Sequence, residues 1–336
     1  MPPIEIYDAI HHINSLDPIE WRCHPSIMKT AHVLQLLLLS AVWGVSFLLI
    51  SIAGASFPPL WVALLRSTFG AALLWTVLLA GKHSLPPRRL FPWLFLVALF
   101  NNAIPFTFFA WGEQTVPSST AAVLNATTPI WAMLLSLVIA NGRINKFIVL
   151  GVLLGFFGVL LVVYGHNTDR AIGISHSAYL RGVVLIACAG LGYAIATVLA
   201  KAKLKGLDPI GLATTQLSLA ALMVLPVALT GPHPVSVRLS SIAAVATLGI
   251  VGSGLAYLLY YTLLAHISAT HLTAVTYLLP IWGLFWGAIA HESIGWTAYV
   301  GVAIVITGLI LLNLRSFQVA PSPIQVPQGE QINQRI

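Results

Sequence analysis

The sequence predicts an all-α polytopic membrane protein with ten transmembrane helices arranged as two inverted five-helix repeats. Composition is the first reason: 336 residues are 58% hydrophobic and 7% charged, whereas a soluble domain carries about a quarter charged residues. So few charges cannot cover a globular surface, so lipid is the main solvent. The second reason is length, since the apolar runs between Ala31 and Arg315 are each about 20 residues, enough to cross a bilayer. The third is duplication at an offset of about 150. Trp43 answers to Tyr193, Pro59 to Pro209, Arg66 to Gln216, and Gly151 and Gly158 to Gly301 and Gly308, while Pro129-Ile130-Trp131 recurs one residue out of step as Pro280-Ile281-Trp282. An odd number of spans per half makes the halves enter the membrane from opposite sides.

The spans fall near 32–53, 59–80, 90–111, 117–140 and 146–165, then 181–200, 209–230, 239–264, 269–290 and 296–314. Breakers sit between them at Pro58-Pro59, Pro86-Pro87, Pro117, Asp208-Pro209 and Gly231-Pro232-His233-Pro234. With the N-terminus inside, Arg22, Lys29, Lys82, Arg88, Arg89, Arg143, Lys146, Lys201, Lys203, Lys205, Arg315 and Arg335 are cytoplasmic. Only Arg170, Arg181 and Arg238 lie outside. That bias places both termini in the cytoplasm of a bacterial-type inner membrane.

The domains expected are a cytoplasmic extension (1–30), a first repeat (31–165), a periplasmic linker (166–180), a second repeat (181–315) and a disordered tail (316–336). A start at Met28 is the rival reading of the first segment, because Lys29 and the first span follow it directly. The formal charge of +7 follows membrane topology, and no nucleic-acid partner is expected. Two cysteines, Cys23 and Cys188, make neither a disulfide framework nor a CxxC metal site. Neither metal nor cofactor is expected; the partners are a small-molecule substrate and the bilayer, with monomer and dimer both open.

AVWGVSF in span one, FPPLWVALLRSTFGAALL in span two, TTPIWAMLLSLVIAN in span four and YLLPIWGLFWGAIAHES in span nine, with glycine-spaced spans five and ten, resemble the EamA-type ten-helix branch of the drug/metabolite transporter superfamily over about 33–315. The resemblance implies a central cavity lined by the first four helices of each repeat, alternating access, and small metabolites as substrates, often exported amino acids. It also implies a glutamate ending spans four and nine. Glu292 fits, twelve residues after Pro280, but Asn141 stands at the matching place after Pro129.

Arg66 is the only Lys or Arg inside a span, about 10 Å from the outer end of its helix. A cation there needs a partner, water or a route to the headgroups, so it either faces a cavity or snorkels. Asn101, Asn102, Thr107, Trp111, Asn125 and Thr128 in spans three and four, and Tyr257, Tyr260, Tyr261, Thr273, Thr276 and Tyr277 in spans eight and nine, are groups lipid rejects. Singly, each is explained by helix–helix hydrogen bonding; as a set, they read as a cavity lining. The substrate path is accordingly expected past Trp43, Arg66, Asn101, Asn102, Trp111, Asn125, Tyr193, Gln216, Tyr257, Tyr261 and Thr276. Pro129 and Pro280 each remove a backbone hydrogen bond inside a span and are expected to act as hinges. Glu113 and Glu292 lie at outer span ends, so no midplane carboxylate supports exchange of cationic drugs for protons. Gly151/Gly155 and Gly283/Gly287 have small-residue packing spacing.

The function expected is a secondary transporter, an exporter of small neutral or zwitterionic metabolites such as amino acids. A non-transporting scaffold is the alternative. An intramembrane enzyme ranks below it, because Gly252-Ser253-Gly254 with His266 or His271 lacks a strict protease motif and His291-Glu292 is not HExxH.

Overall fold

The computed structural model describes residues 30–139, 146–165, 174–267, 272 and 274–313, and every regular element among them is helical. The expected extension, the tail, most of the linker, Asn141 and Thr273 lie outside the described residues. In chain order the helices are α1 (Thr30–Gly54), α2 (Pro59–Ala80), α3 (Arg88–Gly112), α4a (Ser118–Asn125), α4b (Thr128–Ile139), α5 (Lys146–Gly165) and α6 (His176–Lys203). Then follow α7 (Pro209–Thr230), α8 (Leu239–Gly249, continued through Ile250–Leu255 and Ala256–His266), α9 (Ala274–Ile289) and α10 (Trp296–Asn313). Seven of these, α1 to α3 and α5 to α8, are long and apolar enough to cross a membrane; α9 and α10 are shorter apolar helices, and α4 is interrupted.

Local chemistry sets the boundaries. Pro59 and Pro209 open α2 and α7, where a missing N–H costs nothing. Asp208 caps α7 by accepting from the Ile210 and Gly211 amides at 2.9 and 3.3 Å. Gly81 and Gly231 follow the last turns of α2 and α7. The interruption of α4 is the sequence Asn125-Ala-Thr-Thr-Pro. Thr127 and Thr128 donate their hydroxyls to the Leu124 and Asn125 carbonyls, each at 2.7 Å; the Leu124 oxygen also accepts from the Thr127 amide, whereas Pro129 has no N–H to offer Asn125. Pro129 therefore starts a helix instead of kinking one, whereas Pro280 lies inside continuous α9.

Two ends of the bundle can be told apart. His83 with Asp208, Lys203 over the Trp93 ring and His32 against His266 join the connections at one end. Lys82, Lys201, Lys203 and Lys205 lie in or beside those connections, making this the lysine-rich end. At the other, Trp61 donates to the Pro232 carbonyl, the Arg238 amide to Ser56, and Thr115 to the Ala178 carbonyl. Glu113 and Glu292 sit there, and it is the glutamate end.

Packing between the halves is reciprocal. Helix α1 packs on α8 and α9, and its counterpart α6 packs on α3 and α4; α2 pairs with α7, and α5 with α10. At the α5–α10 crossing a Cβ on Gly158 would lie 2.6 Å from the Gly301 carbonyl oxygen, and one on Gly151 2.8 Å from that of Gly308. Only glycine permits this approach. Because Gly151 corresponds to Gly301 and Gly158 to Gly308, the contacting pairs exchange under the repeat, as they do about a two-fold axis. The chain also widens into a π-helical turn at Leu99–Ala103 in α3 and again at Ile250–Leu255 in α8. These positions are 151 residues apart, and the sequence reading did not anticipate either turn.

Asp208 holds the lysine-rich end together. Partial desolvation pushes its carboxyl up, but the Ser84 amide, His83 and the Ile210 and Gly211 amides more than offset this and hold it below its ordinary value. Its stabilisation is thus complete above the unfolded pKa of about 3.9 and fades as pH falls through the lower folded value. Asp208→Ala is expected to cost about 1 kcal/mol near pH 7. The melting difference from wild type should shrink toward zero as the pH of the detergent solution is lowered through that range.

Candidate functional site

Arg66 decides where the polar interior lies. Its guanidinium is buried in the bundle, 3.8 Å from the centroid of the Phe106 ring, and its Nε donates to Ser253 Oγ at 2.9 Å. It does not reach for the headgroups. A buried cation without such partners costs several kcal/mol; here a ring face and a hydroxyl replace part of its water. Phe106 sits one turn beyond the π-helical segment of α3, and Ser253 sits inside that of α8. Small neighbours make room: a Cβ on Gly70 would lie 3.1 Å from both the Ser253 Cβ and the Gly249 carbonyl oxygen.

A second constellation occupies the corresponding positions with a different hydrogen-bond pattern. Asn101 Nδ2 donates to Gln216 Oε1 at 3.1 Å and to the Tyr257 hydroxyl at 3.2 Å, and Asn102 Nδ2 donates to the same hydroxyl at 2.9 Å. Under the offset of 150–151, Arg66 corresponds to Gln216, Ser253 to Asn102, and Phe106 to Tyr257. Each constellation takes one residue from the α2–α7 pair, one from a π-helical turn and one aromatic a turn later. The first carries a charge and the second is neutral.

The aromatic contacts repeat too. Trp43 packs against Tyr260 with ring centroids 5.8 Å apart, and their counterparts Tyr193 and Phe109 stack at 6.2 Å. Tyr261 meets Tyr260 edge-on at 5.2 Å. Trp282 of α9 donates its indole N–H to Ser40 Oγ at 2.9 Å. In the other half Gly190 stands where Ser40 does, and Trp131 Nε1 is buried without an acceptor.

Of the residues expected along the path, Asn101, Asn102, Gln216 and Tyr257 are joined by hydrogen bonds, and Arg66 forms the matching group. Trp43, Tyr193 and Tyr261 belong to the aromatic contacts. Asn125 sits at the α4 interruption, with Thr128 as its hydroxyl neighbour. Thr276 lies half-buried on α9. Trp111 stands apart at the glutamate end, where with Gln114, the Gly54–Pro59 connection and part of 232–236 it lines a cavity of about 480 Å³. Trp61, Trp93 and Trp296 lie at helix ends, where amphipathic rings suit the membrane interface, Trp296 being strongly exposed.

Sequence reasoning missed Phe106, Ser253 and Glu113. Ser253 sits in the Gly-Ser-Gly set aside as a false protease motif. Aligning α8 on α3 residue by residue pairs it with Asn102, and that was the available signal. Glu292 accepts from the Ser118 amide and hydroxyl at 2.9 and 2.6 Å and from the Ser119 amide at 3.1 Å. It thereby caps α4a from the end of α9. Glu113, at the end of α3, is buried, and neither of its oxygens has a hydrogen-bond partner. Among the described residues no group of three or more His, Cys, Asp or Glu side chains is placed to hold a metal ion.

Comparison with known proteins agrees with this architecture. The EamA-like transporter family model matches residues 30–164 and again 180–314. The uncharacterized transporter YvbV of Bacillus subtilis is 24% identical over 299 residues, covering 86% of this chain and 93% of that protein. The uncharacterized inner membrane transporter YedA of Escherichia coli K12 is 26% identical over 292 residues, covering 85% and 92%. One crystal structure superposes with a TM-score of 0.61 at 22% identity, covering 86% of this chain and 99% of that one, and so shares the fold.

The Trp131–Gly190 gap is open to test. A Cβ at Gly190 would have ordinary contacts only, 3.4 Å to Thr128 Oγ1 and 3.7 Å to Trp131 Cδ1. Gly190→Ser is expected to restore the acceptor found at Ser40 and to stabilise the protein by about 1 kcal/mol, read as a raised melting temperature in detergent.

Proposed function

This chain belongs to the EamA-like transporter family, and we propose that it is a secondary carrier exporting small neutral or zwitterionic metabolites by alternating access. It is a multi-pass membrane protein and a transporter in kind. The finer reading places it in a bacterial-type inner membrane, with ten crossings in two inverted repeats and both termini cytoplasmic. The lysines at one end support that orientation, and the exchange of contacts between Gly151/Gly308 and Gly158/Gly301 supports the inversion.

The observation that carries the function is the doubled constellation. Arg66·Ser253·Phe106 lies toward the glutamate end and Gln216·Asn102·Tyr257 toward the lysine-rich end, since Arg66 and Gln216 are each seven residues, about 10 Å, from the start of their helix. Two equivalent polar groups at opposite depths are what a carrier needs if its repeats exchange conformations to open each side in turn. A scaffold has no use for a guanidinium buried in the bundle and held, among the described residues, by the Phe106 ring and an Nε hydrogen bond to Ser253. Trp43, Trp111, Asn125, Tyr193, Tyr261 and Thr276 are proposed to line the same route, with Pro129 and Pro280 near its bends.

Thiol accessibility tests this without knowledge of the substrate. In a background lacking Cys23 and Cys188, Ser253→Cys should react with a membrane-impermeant reagent applied from the glutamate-end side. Asn102→Cys should react from the lysine-rich side, and a cysteine at Lys82 only from the cytoplasm. Protection of Ser253→Cys and Asn102→Cys from both sides under all conditions would make them packing residues and sink the carrier reading.

A further inference from the structure

We propose that Glu113 is a proton-binding site, and that the proton it holds keeps the glutamate end of the bundle closed. The proposal rests on the carrier reading and adds to it the ion that biases its two conformations.

Glu113 differs from every other acidic group in the described structure. Asp208 accepts from three amides and touches His83, and Glu292 accepts three hydrogen bonds at the start of α4a. Both are thus supplied with the donors an ionised carboxylate needs. Glu113 is 9% exposed, and neither of its oxygens meets a donor or solvent. It borders a cavity of about 340 Å³, with Ser51, Gly54 and Ala55 on one wall and Ala110 and Gln114 on the other. An ionised carboxylate enclosed in this way has lost its water and gained no partner, so the group is kept neutral by a proton. The α1 wall of the cavity carries no charge, and α4a offers only hydroxyls at its start. Beyond burial, the Glu292 carboxylate at the end of α9 also disfavours the charged form, and the Arg66 cation of α2 opposes this less strongly. Helix α6, which packs on α3 at Gly112 and Gly182, brings Arg181, which is exposed, and Tyr179, which donates to the Val163 carbonyl.

Glu292 is the latch of this end. His291 takes the left-handed conformation, at φ 58°, and the Glu292 and His291 amides donate to the Gly287 and Ala288 carbonyls at 2.9 and 3.1 Å. This closes α9 in a Schellman turn with histidine where glycine is usual. The turn aims the Glu292 side chain across the repeat boundary at the Ser118 and Ser119 amides. Glycine makes the approach possible, since a Cβ on Gly287 would lie 2.7 Å from Glu292 Oε2 and 2.9 Å from the Ser119 Cβ. Ser118 in turn follows Glu113 closely, through a tight turn in which the Thr115 and Val116 amides both donate to the Gly112 carbonyl. A negative charge on Glu113 would therefore sit beside the carboxylate that joins α9 to α4a. Ionisation becomes favourable only when water fills the cavity, which requires the walls at the glutamate end to part. The Glu113 O–H bond then breaks to leave a carboxylate and a hydrated proton on that side; the reverse step closes the end again.

Infrared difference spectra of the purified full-length protein in lipid nanodiscs test for the proton itself. Wild type minus Glu113→Gln near neutral pH should contain a protonated-carboxyl C=O stretch that shifts on transfer to heavy water. Spin labels at Gly206 and His266, at the lysine-rich end and away from both glutamates, test the link to conformation. In wild type, raising the pH should drain the long-distance population there, the ratio of populations changing by up to about tenfold per pH unit for one linked proton. Glu113→Gln, which imitates the neutral acid, should hold the acid-side ratio at every pH, and Glu113→Asp should stay responsive. A missing carboxyl band, a wild-type ratio that ignores pH, or a Glu113→Gln protein that responds as wild type does would each overturn the proposal. It is overturned equally if Glu113→Gln fails to fold, since the amide is almost the shape of the neutral acid it replaces. A carrier without proton linkage would fail this test and still show two-sided thiol accessibility.

Discussion

A guanidinium enclosed in apolar helices is the constraint around which this interior is organised. Arg66 cannot be hydrated by the hydrocarbon that surrounds most of the chain, so the fold brings it a ring from α3 and a hydroxyl from α8. Those contacts fix α2, α3 and α8 against one another. The hydroxyl is within reach because α8 widens into a π-helical turn there, a device that re-aims a side chain and turns up at functional positions. The neutral counterpart at Gln216 does the same for α7, α3 and α8 through Asn101, Asn102 and Tyr257. Helix packing in lipid has little hydrophobic driving force. These polar contacts, with the glycine crossings, therefore specify which helix lies beside which.

The architecture is duplicated, and its chemistry lies in the departures from duplication. Arg66 in one half corresponds to Gln216 in the other, Phe106 to Tyr257, and Ser40 to Gly190. Each substitution keeps the shape roughly constant and changes charge or hydrogen bonding on one side only. Glu292 caps α4a across the repeat boundary, and Asn141 stands at the corresponding sequence position in the first half. A carrier made of two equal halves needs such inequalities to hold a ligand more firmly in one conformation than in another.

Much of the fold was legible in the sequence, because span length, proline breakers and the offset of about 150 are one-dimensional signals. The small-residue spacings around Gly151 and Gly283 were legible for the same reason. The site was legible as a set of residue types, since lipid rejects Asn, Gln, Arg and Tyr wherever they are placed. Who touches whom was not. Ser253 carries no mark among the small residues of α8, and only the fold shows that a residue 187 positions from Arg66 is its acceptor. The π-helical turns leave no periodic trace over five or six residues. Pro129 and Pro280 look equivalent in sequence, yet two threonine hydroxyls let one helix break and the other runs on. Glu113 read as an ordinary end-of-span carboxylate because burial depends on α1, contributed from far away in the chain.

The proposed carrier exposes two equivalent polar groups in turn as its halves exchange conformation. Distances between spin labels measure this directly, with one pair at Ser56 and Gln114 across the glutamate end and another at Gly206 and His266 across the lysine-rich end, in lipid nanodiscs. The account requires two distance populations for each pair, the long one at one end accompanying the short one at the other, and opposite shifts when a bound ligand is added. A single unchanging distance at both ends in every condition would contradict it.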